Sequence, residues 1–438
     1  MLNEKYKQIY FLIVTAFCFV LFSFPVAAGG IPDTSFGNGG KVRFSFSAGS
    51  EDIAKSAALQ PDGKVILVGF SSPAGQGDLA NDMAIARINA NGSLDTSFGS
   101  GGFVKVHFLL GDGATAVVIQ PDGKIVVGGY RNSGKGFALI RLNSDGILDS
   151  SFGDGGKVTT VFENSSGYLT KLVLQPDGKL LAFGDASVTN PNRSVVALAR
   201  YNSDGSLDST FGTNGKFVLR GFLPFDSNYG GGELQRDGKI LVAVNTDKYA
   251  ISCNCFLPYS VLLRFNPTLT IDKKFGRRRG QEFLQIYEPF SDLYIEPTNG
   301  DIIITDGKFN AYEGRVRRYS GNGYFQSRFA QAFSPATPAN IDFGVVSIAR
   351  KSDGNIVGCG TRHSGADNER ANMLVALFAQ NGNFIGSGKM DFSGNDDYCS
   401  KVLVQPDDKI LTVGNATDAL INANYDFAVA RFQGITPN

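Results

Sequence analysis

Only two histidines occur in the 438 residues, His107 and His363. They stand at different positions of the repeat described below, so no Ser–His or Cys–His pairing for nucleophilic catalysis is indicated. Two histidines also exclude a multi-histidine metal centre. The loops Asn143-Ser144-Asp145-Gly146 to Asp149 and Asn202-Ser203-Asp204-Gly205 to Asp208 carry acidic side chains like a calcium loop. Gly follows the second acidic position directly, however, and no closing Glu offers bidentate coordination. These segments read as strand-connecting turns. The cluster Lys273, Lys274, Arg277, Arg278, Arg279 forms one local basic patch and reads as a solvated loop. No catalytic residue, metal ligand or cofactor site is assigned.

Whole-chain charge points the same way. Lys and Arg number 41 and Asp and Glu number 41, so the net charge is zero, which argues against nucleic acid or an anionic membrane as partner. Hydrophobic residues at 42% are enough for a packed core. Fifty-four glycines without a collagen period mean many turns and short strands, and the absence of Trp counts against a quinone-dependent dehydrogenase. Lys5 and Lys7 precede an apolar run from Phe11 to Phe24 and then Pro25-Val26-Ala27-Ala28. This pattern predicts a signal peptide over 1–28, cleaved after Ala28, because the run falls short of the roughly 20 residues of a membrane span. The expected product is an exported protein, periplasmic or secreted, with one domain over 29–438.

The elements come from self-similarity. Gln60-Pro61-Asp62-Gly63-Lys64 returns at 120–124 and 175–179, and in weaker form at 235–239, 297–301, 351–355 and 405–409, roughly 60 residues apart. The repeat turns thus fall near 61–64, 121–124, 176–179, 236–239, 297–301, 352–355 and 406–409. A second motif, Leu-Asp-Thr/Ser-Ser/Thr-Phe-Gly, occupies 94–99, 148–153 and 207–212, weakens at 271–276, and leaves its tail at Asp33-Thr34-Ser35-Phe36-Gly37. In the second unit Ala114–Gln120, Lys124–Gly129, Phe137–Asn143 and Lys157–Phe162 read as strands a, b, c and d, with Pro-Asp-Gly as the a–b turn. Four strands repeated seven times predict an all-β fold, a single seven-bladed β-propeller. The chain ends after a strand c and begins with a strand d at 41–46, so the N-terminal strand is expected to complete the last blade and close the ring.

The two motifs resemble the delta-60 repeat of exported bacterial proteins, a family expected to form β-propellers. The likeness covers 31–433, is strongest in units one to three, and carries no established catalytic residues. It implies architecture and export rather than an activity.

Strand c carries Arg87, Arg141, Arg200, Arg264, Arg318 and Arg431, with Leu377 in the sixth unit. The second motif supplies Asp95, Asp149, Asp208 and Asp272, and Asp33 would serve the seventh unit; units five and six align Gln326 and Ile385. Joint retention of both charges in five units predicts structural ion pairs Arg87–Asp95, Arg141–Asp149, Arg200–Asp208, Arg264–Asp272 and Arg431–Asp33. Phe36, Phe98, Phe152, Phe211, Phe275 and Phe329 are expected core plugs. Cys359, at the end of strand b of unit six, and Cys399, opening strand a of unit seven, are candidate disulfide partners if their Cα atoms fall within about 7 Å. Cys253 and Cys255 could pair with each other, and four free thiols are the alternative.

Antiparallel blades put the repetitive a–b and c–d connections at one end and the variable b–c and d–a connections at the other. The longest variable segment, Asn245–Tyr259, holds Tyr249, Phe256 and Tyr259 and is the candidate binding loop. The expected function is a monomeric, non-catalytic binding or interaction scaffold for an unknown protein or glycan. The alternative is a propeller enzyme, a hydrolase or lyase acting on glycans or lactones.

Overall fold

The computed structural model describes residues 29–76, 80–108, 111–131, 136–162, 167–189, 192–220, 227–250, 255–278, 280–284, 290–306, 315–328, 341–364, 371–392, 396–417 and 424–435. The expected signal segment, Cys253 and Phe329 lie outside them. Every described element is a strand, and these pair into seven antiparallel sheets, the blades of a ring. Blade 1 runs through Glu51–Leu59, Val65–Ser72, Asp82–Ile88 and Phe103–Val106 as strands a to d, and blades 2 to 6 follow the same order. No helix among the described residues is long and apolar enough to cross a membrane.

The b and c strands are buried almost throughout because both blade faces are covered by neighbours. The core is accordingly divided between blades rather than placed inside them. Seven apolar clusters fill the seven interfaces between adjacent blades, and one of them joins Leu411, Val413 and Phe427 of blade 7 to Ala54, Val65 and Leu67 of blade 1.

Blade 7 is closed by the start of the chain. Its strands Asp397–Val404, Ile410–Thr417 and Tyr425–Ile435 lack a fourth strand of their own. Lys41–Phe44 pairs with Tyr425–Ile435 in the register Lys41↔Ala430 to Phe44↔Phe427. Gly30–Pro32 extends the same edge, with Gly30 opposite Ile435. The long edge strand is thus covered along both halves, which removes the exposed edge an open ring would carry.

Each inner strand a carries a β-bulge at the same place, leaving Lys55, Thr115, Thr170, Gly230, Ser291, Val346 and Ser400 without a register partner. The bulge explains a repeated glycine of strand b. A Cβ on Gly69, Gly129, Gly184 or Gly414 would fall 1.8–1.9 Å from a carbonyl oxygen of strand a. The Pro-Asp-Gly turns need a left-handed residue, and Gly63, Gly123 and Gly178 supply it at φ 83°, 82° and 81°. In the last unit Asp408 takes that conformation, φ 63°, and receives hydrogen bonds from Ser352 N and Oγ of blade 6.

The variable connections are shorter than the sequence suggests, because strand pairing continues into them. The segment 245–259 is a β-hairpin rather than a loop: Ile240–Ala250 pairs with Cys255–Phe265 as far as Ala250↔Cys255, with Tyr249 opposite Phe256 and Thr246 opposite Tyr259. Strand b of blade 6 likewise runs to Ser364, so Cys359 is mid-strand rather than terminal.

Candidate functional site

The repeated charged residues assemble into one device per blade. Arg87 Nε lies 2.7 Å from Asp95 Oδ2, and the equivalent distances are 2.7 Å for Arg141–Asp149, 2.8 Å for Arg200–Asp208 and 2.8 Å for Arg431–Asp33. In blade 4 the Arg264 Nη2–Asp272 distance is 2.8 Å. A third member escaped the sequence reading. The Lys that closes the a–b turn reaches across to the same carboxylate: Lys64, Lys124 and Lys179 at 2.8–2.9 Å, Lys409 at 3.3 Å and Lys239 at 3.4 Å. Each guanidinium also stacks on the motif Phe at 4.5–4.7 Å, as Arg141 does on Phe152. Arg87, Arg141, Arg264 and Arg431 further donate to a backbone carbonyl of the next blade, at Ser144, Ser203, Gly321 and Ala90. The staple therefore locks the a–b turn to the c–d connection within a blade and ties that blade to its neighbour. Burial pushes the Asp33, Asp95, Asp149 and Asp208 carboxyls up. Hydrogen bonds from Ser or Thr two residues on and from the Lys outweigh it, and all four sit well below the usual carboxylate range.

Blades 5 and 6 show how the staple is altered. In blade 5 the Lys position is Asp301 and the Asp position is Gln326, so the carboxylate has moved to the a–b turn. Arg318 lies 3.2 Å from both Asp301 and Glu296. In blade 6 all three members become uncharged, Asn355, Leu377 and Ile385, and Leu377 joins the apolar core.

The remaining sequence candidates separate by location. Cys359 and Cys399 form a disulfide between blades 6 and 7, Cα atoms 6.2 Å apart. Tyr249 and Phe256 face each other in backbone register on the blade 4 hairpin, with Tyr259 three pairs further in. His107 Nδ1 lies 2.8 Å from Asp82 and 3.9 Å from Asp112 at the b–c/d–a end, a grouping the sequence reading did not anticipate. Asp112 is fully buried and accepts the Phe108 N–H, and Asp52 and Asp397 do the same for Phe46 and Phe392 in blades without the histidine. A turn-fixing role accounts for Asp112. The calcium-like loops are likewise spoken for: Asp145 accepts the Ile147 N–H and Asp149 belongs to the staple.

What the repeats do not explain lies in the central channel, a cavity of about 390 Å³ bounded by the seven bulges. Each bulge lies four residues before the last residue of its strand a. Neutral side chains line most of the wall, among them Thr115, Thr170, Ser291 and Ser400, but unrepeated charges enter from four blades. Lys171 Nζ donates to Glu233 at 2.8 Å and to the Leu293 carbonyl at 3.3 Å, bridging blade 3 to blades 4 and 5. Lys401 lies 3.7 Å from Asp292, which also accepts from Leu293 N, Ile348 N and Ser347 Oγ. Burial raises the Asp292 carboxyl, and Lys401, Lys171 and these N–H donors bring it below its ordinary value. Lys55 alone projects from blade 1. No signal in one sequence marks these residues, because a bulge changes which side chains meet the channel and leaves no compositional trace.

At the a–b/c–d end a cavity of about 700 Å³ lies between blades 4 and 5. Several of its charged groups serve the scaffold: Arg264 bonds Gln235, and Glu296 and Asp301 hold Arg318.

A family model described as a domain of unknown function (DUF5122) beta-propeller matches residues 60–98, 120–152, 175–211 and 405–433. These segments run from the turn Gln through strand c, and the first three end on the stacked Phe, so the match follows the staple. Together with the seven-bladed ring it supports a family of β-propeller repeats. No curated protein matches the chain. Solved structures similar to it include the polysaccharide lyase Uly1 at 12% identity and TM-score 0.50, covering 87% of this chain and 90% of that one. Drosophila Semaphorin 1a, extracellular domains 1-2, matches at 8% identity and TM-score 0.47 over 89% and 87%. The beta-propeller domain of the Trilobed protease from Pyrococcus furiosus matches at 13% and 0.41 over 88% and 94%. The first of these likenesses is one of fold alone.

Proposed function

We propose that this protein is an exported, non-catalytic β-propeller that acts as a binding scaffold, taking its ligand at the b–c/d–a face and the channel mouth there. The observation that carries the reading is a division of residues. Those repeated around the ring are consumed in staples, turns and inter-blade cores, whereas the unrepeated charges line the central channel and the longest hairpin stands at the b–c/d–a end. Divergent connections on a rigid scaffold are where recognition ordinarily resides. Export is supported by the basic and apolar pattern of residues 5–28, by the resemblance to delta-60 repeats, and by the Cys359–Cys399 disulfide, which suits an oxidising compartment.

The blade 4 hairpin, with Tyr249, Phe256 and Tyr259, is its largest candidate contact. Replacing 246–259 by the short blade 2 connection 131–136 tests it. The expected protein melts within a few degrees of the original and loses compounds bound in a glycan and metabolite screen. Unchanged melting with unchanged binding removes the hairpin from the site.

A further inference from the structure

Two of the three channel lysines have carboxylate partners, Lys171 in Glu233 and Lys401 in Asp292. The third does not. Lys55 is the bulge residue of blade 1, where the six other blades place Thr, Gly, Ser or Val. Its Nζ stands 5.7 Å from the Phe70 ring centre, and no carboxylate pairs with it among the described residues. The walls desolvate the amine and lower its pKa, although the residue is open to the channel. A second group is also unsatisfied. Tyr229 contributes to the same cavity, and its Oη is buried without a hydrogen-bond partner. A buried hydroxyl ordinarily finds a partner.

We propose that the central channel binds a monocarboxylate of sugar size, with the carboxylate on Lys55 Nζ and an oxygen of the ligand body accepting from Tyr229 Oη. One unmatched positive charge suits a ligand carrying one negative charge, and a phosphate monoester brings nearly two. The hydroxyls of Thr170, Ser291 and Ser400 offer a polar wall for a hydroxylated body, and a cavity of about 390 Å³ falls in the small-ligand range. The inference deepens the binding-scaffold reading and rests on it.

The test is calorimetric titration of the chain lacking residues 1–28 with D-glucuronate, D-galacturonate and D-gluconate, against D-glucose and inorganic phosphate. At least one acid should bind saturably and at least roughly tenfold more tightly than glucose or phosphate. Lys55→Met should weaken that binding about tenfold or more, Lys55→Arg should keep most of it, and Tyr229→Phe should weaken it about threefold to tenfold. A glucuronate-terminated oligosaccharide separates the sources: if it binds as well, the carboxylate belongs to a glycan end, and if only the monosaccharide binds, to a free acid. Absence of saturable binding by all three acids, preference for phosphate, or wild-type affinity in Lys55→Met overturns the proposal. If Lys55→Met binds normally and the hairpin exchange abolishes binding, the channel site falls and the face reading stands. Loss of binding in Lys55→Met with binding kept after the exchange places the site in the channel rather than on the hairpin.

Discussion

At the scale of single residues, a buried Asp shared by an Arg and a Lys does most of the repetitive work. Asp149 is 6% exposed and stands against Arg141 at 2.7 Å and Lys124 at 2.8 Å. Removing it leaves a nearly buried guanidinium unpaired, so Asp149→Ala should cost about 3 kcal/mol in chemical denaturation. Converting all three members as blade 6 does, Lys124→Asn, Arg141→Leu and Asp149→Ile together, should cost less than the single change. A triple variant weaker than Asp149→Ala would show that blade 6 tolerates its residues for another reason. The four depressed carboxylates set a pH dependence. Their folded pKa values lie below the unfolded value near 3.9, so the unfolded chain binds more protons in acid. This stabilisation is present in full above about pH 5 and is lost as pH falls through 4 toward the folded values, which denaturant midpoints from pH 7 to pH 3 would record. The Arg–Asp part of the staple was legible in the sequence because both residues recur with the motifs. The Lys is not legible as a member because in the sequence it reads as part of the a–b turn motif.

Among the elements, the strands announced themselves and their lengths did not. Pro-Asp-Gly and the β-branched runs after it place strand b wherever the repeat is intact, and the N-terminal strand at Lys41 was expected from the phase of the units. In the sequence 245–259 reads as a loop, because Asp247, Lys248, Asn254 and Pro258 interrupt any apolar alternation. Backbone pairing to Ala250↔Cys255 continues past the layer where alternation matters. Closure is the element whose loss should be felt everywhere. Deleting residues 29–47 removes both strands on the edge of Tyr425–Ile435, the Asp33 partner of Arg431 and the Phe36 plug at the interface of blades 7 and 1. Unpaired edge groups and an emptied interface should lower the melting temperature by on the order of 10 °C or leave the chain unfolded. An unchanged melting curve would mean that the ring does not depend on this strand.

For the whole molecule, seven-fold repetition and its exceptions divide the structure into scaffold and proposed recognition surface. The ring, its seven inter-blade cores and its closure could be anticipated because each follows from a repeated pattern. The channel could not, since Lys55, Lys171, Asp292 and Lys401 meet only after the ring has closed and the bulges have turned them inward. The proposed function places binding at the unrepeated end and in the channel and leaves the repeated end to the scaffold. Hydrogen–deuterium exchange on the chain lacking residues 1–28, with and without a bound acid from the titration panel, measures this directly. Protection should appear in the inner strands Glu51–Leu59, Gly167–Leu174, Phe290–Ile295 and Asp397–Val404 and in the blade 4 hairpin, with the turns at 61–64, 121–124 and 176–179 unchanged. Protection centred on those turns, with the inner strands unaffected, would place binding at the repeated end instead.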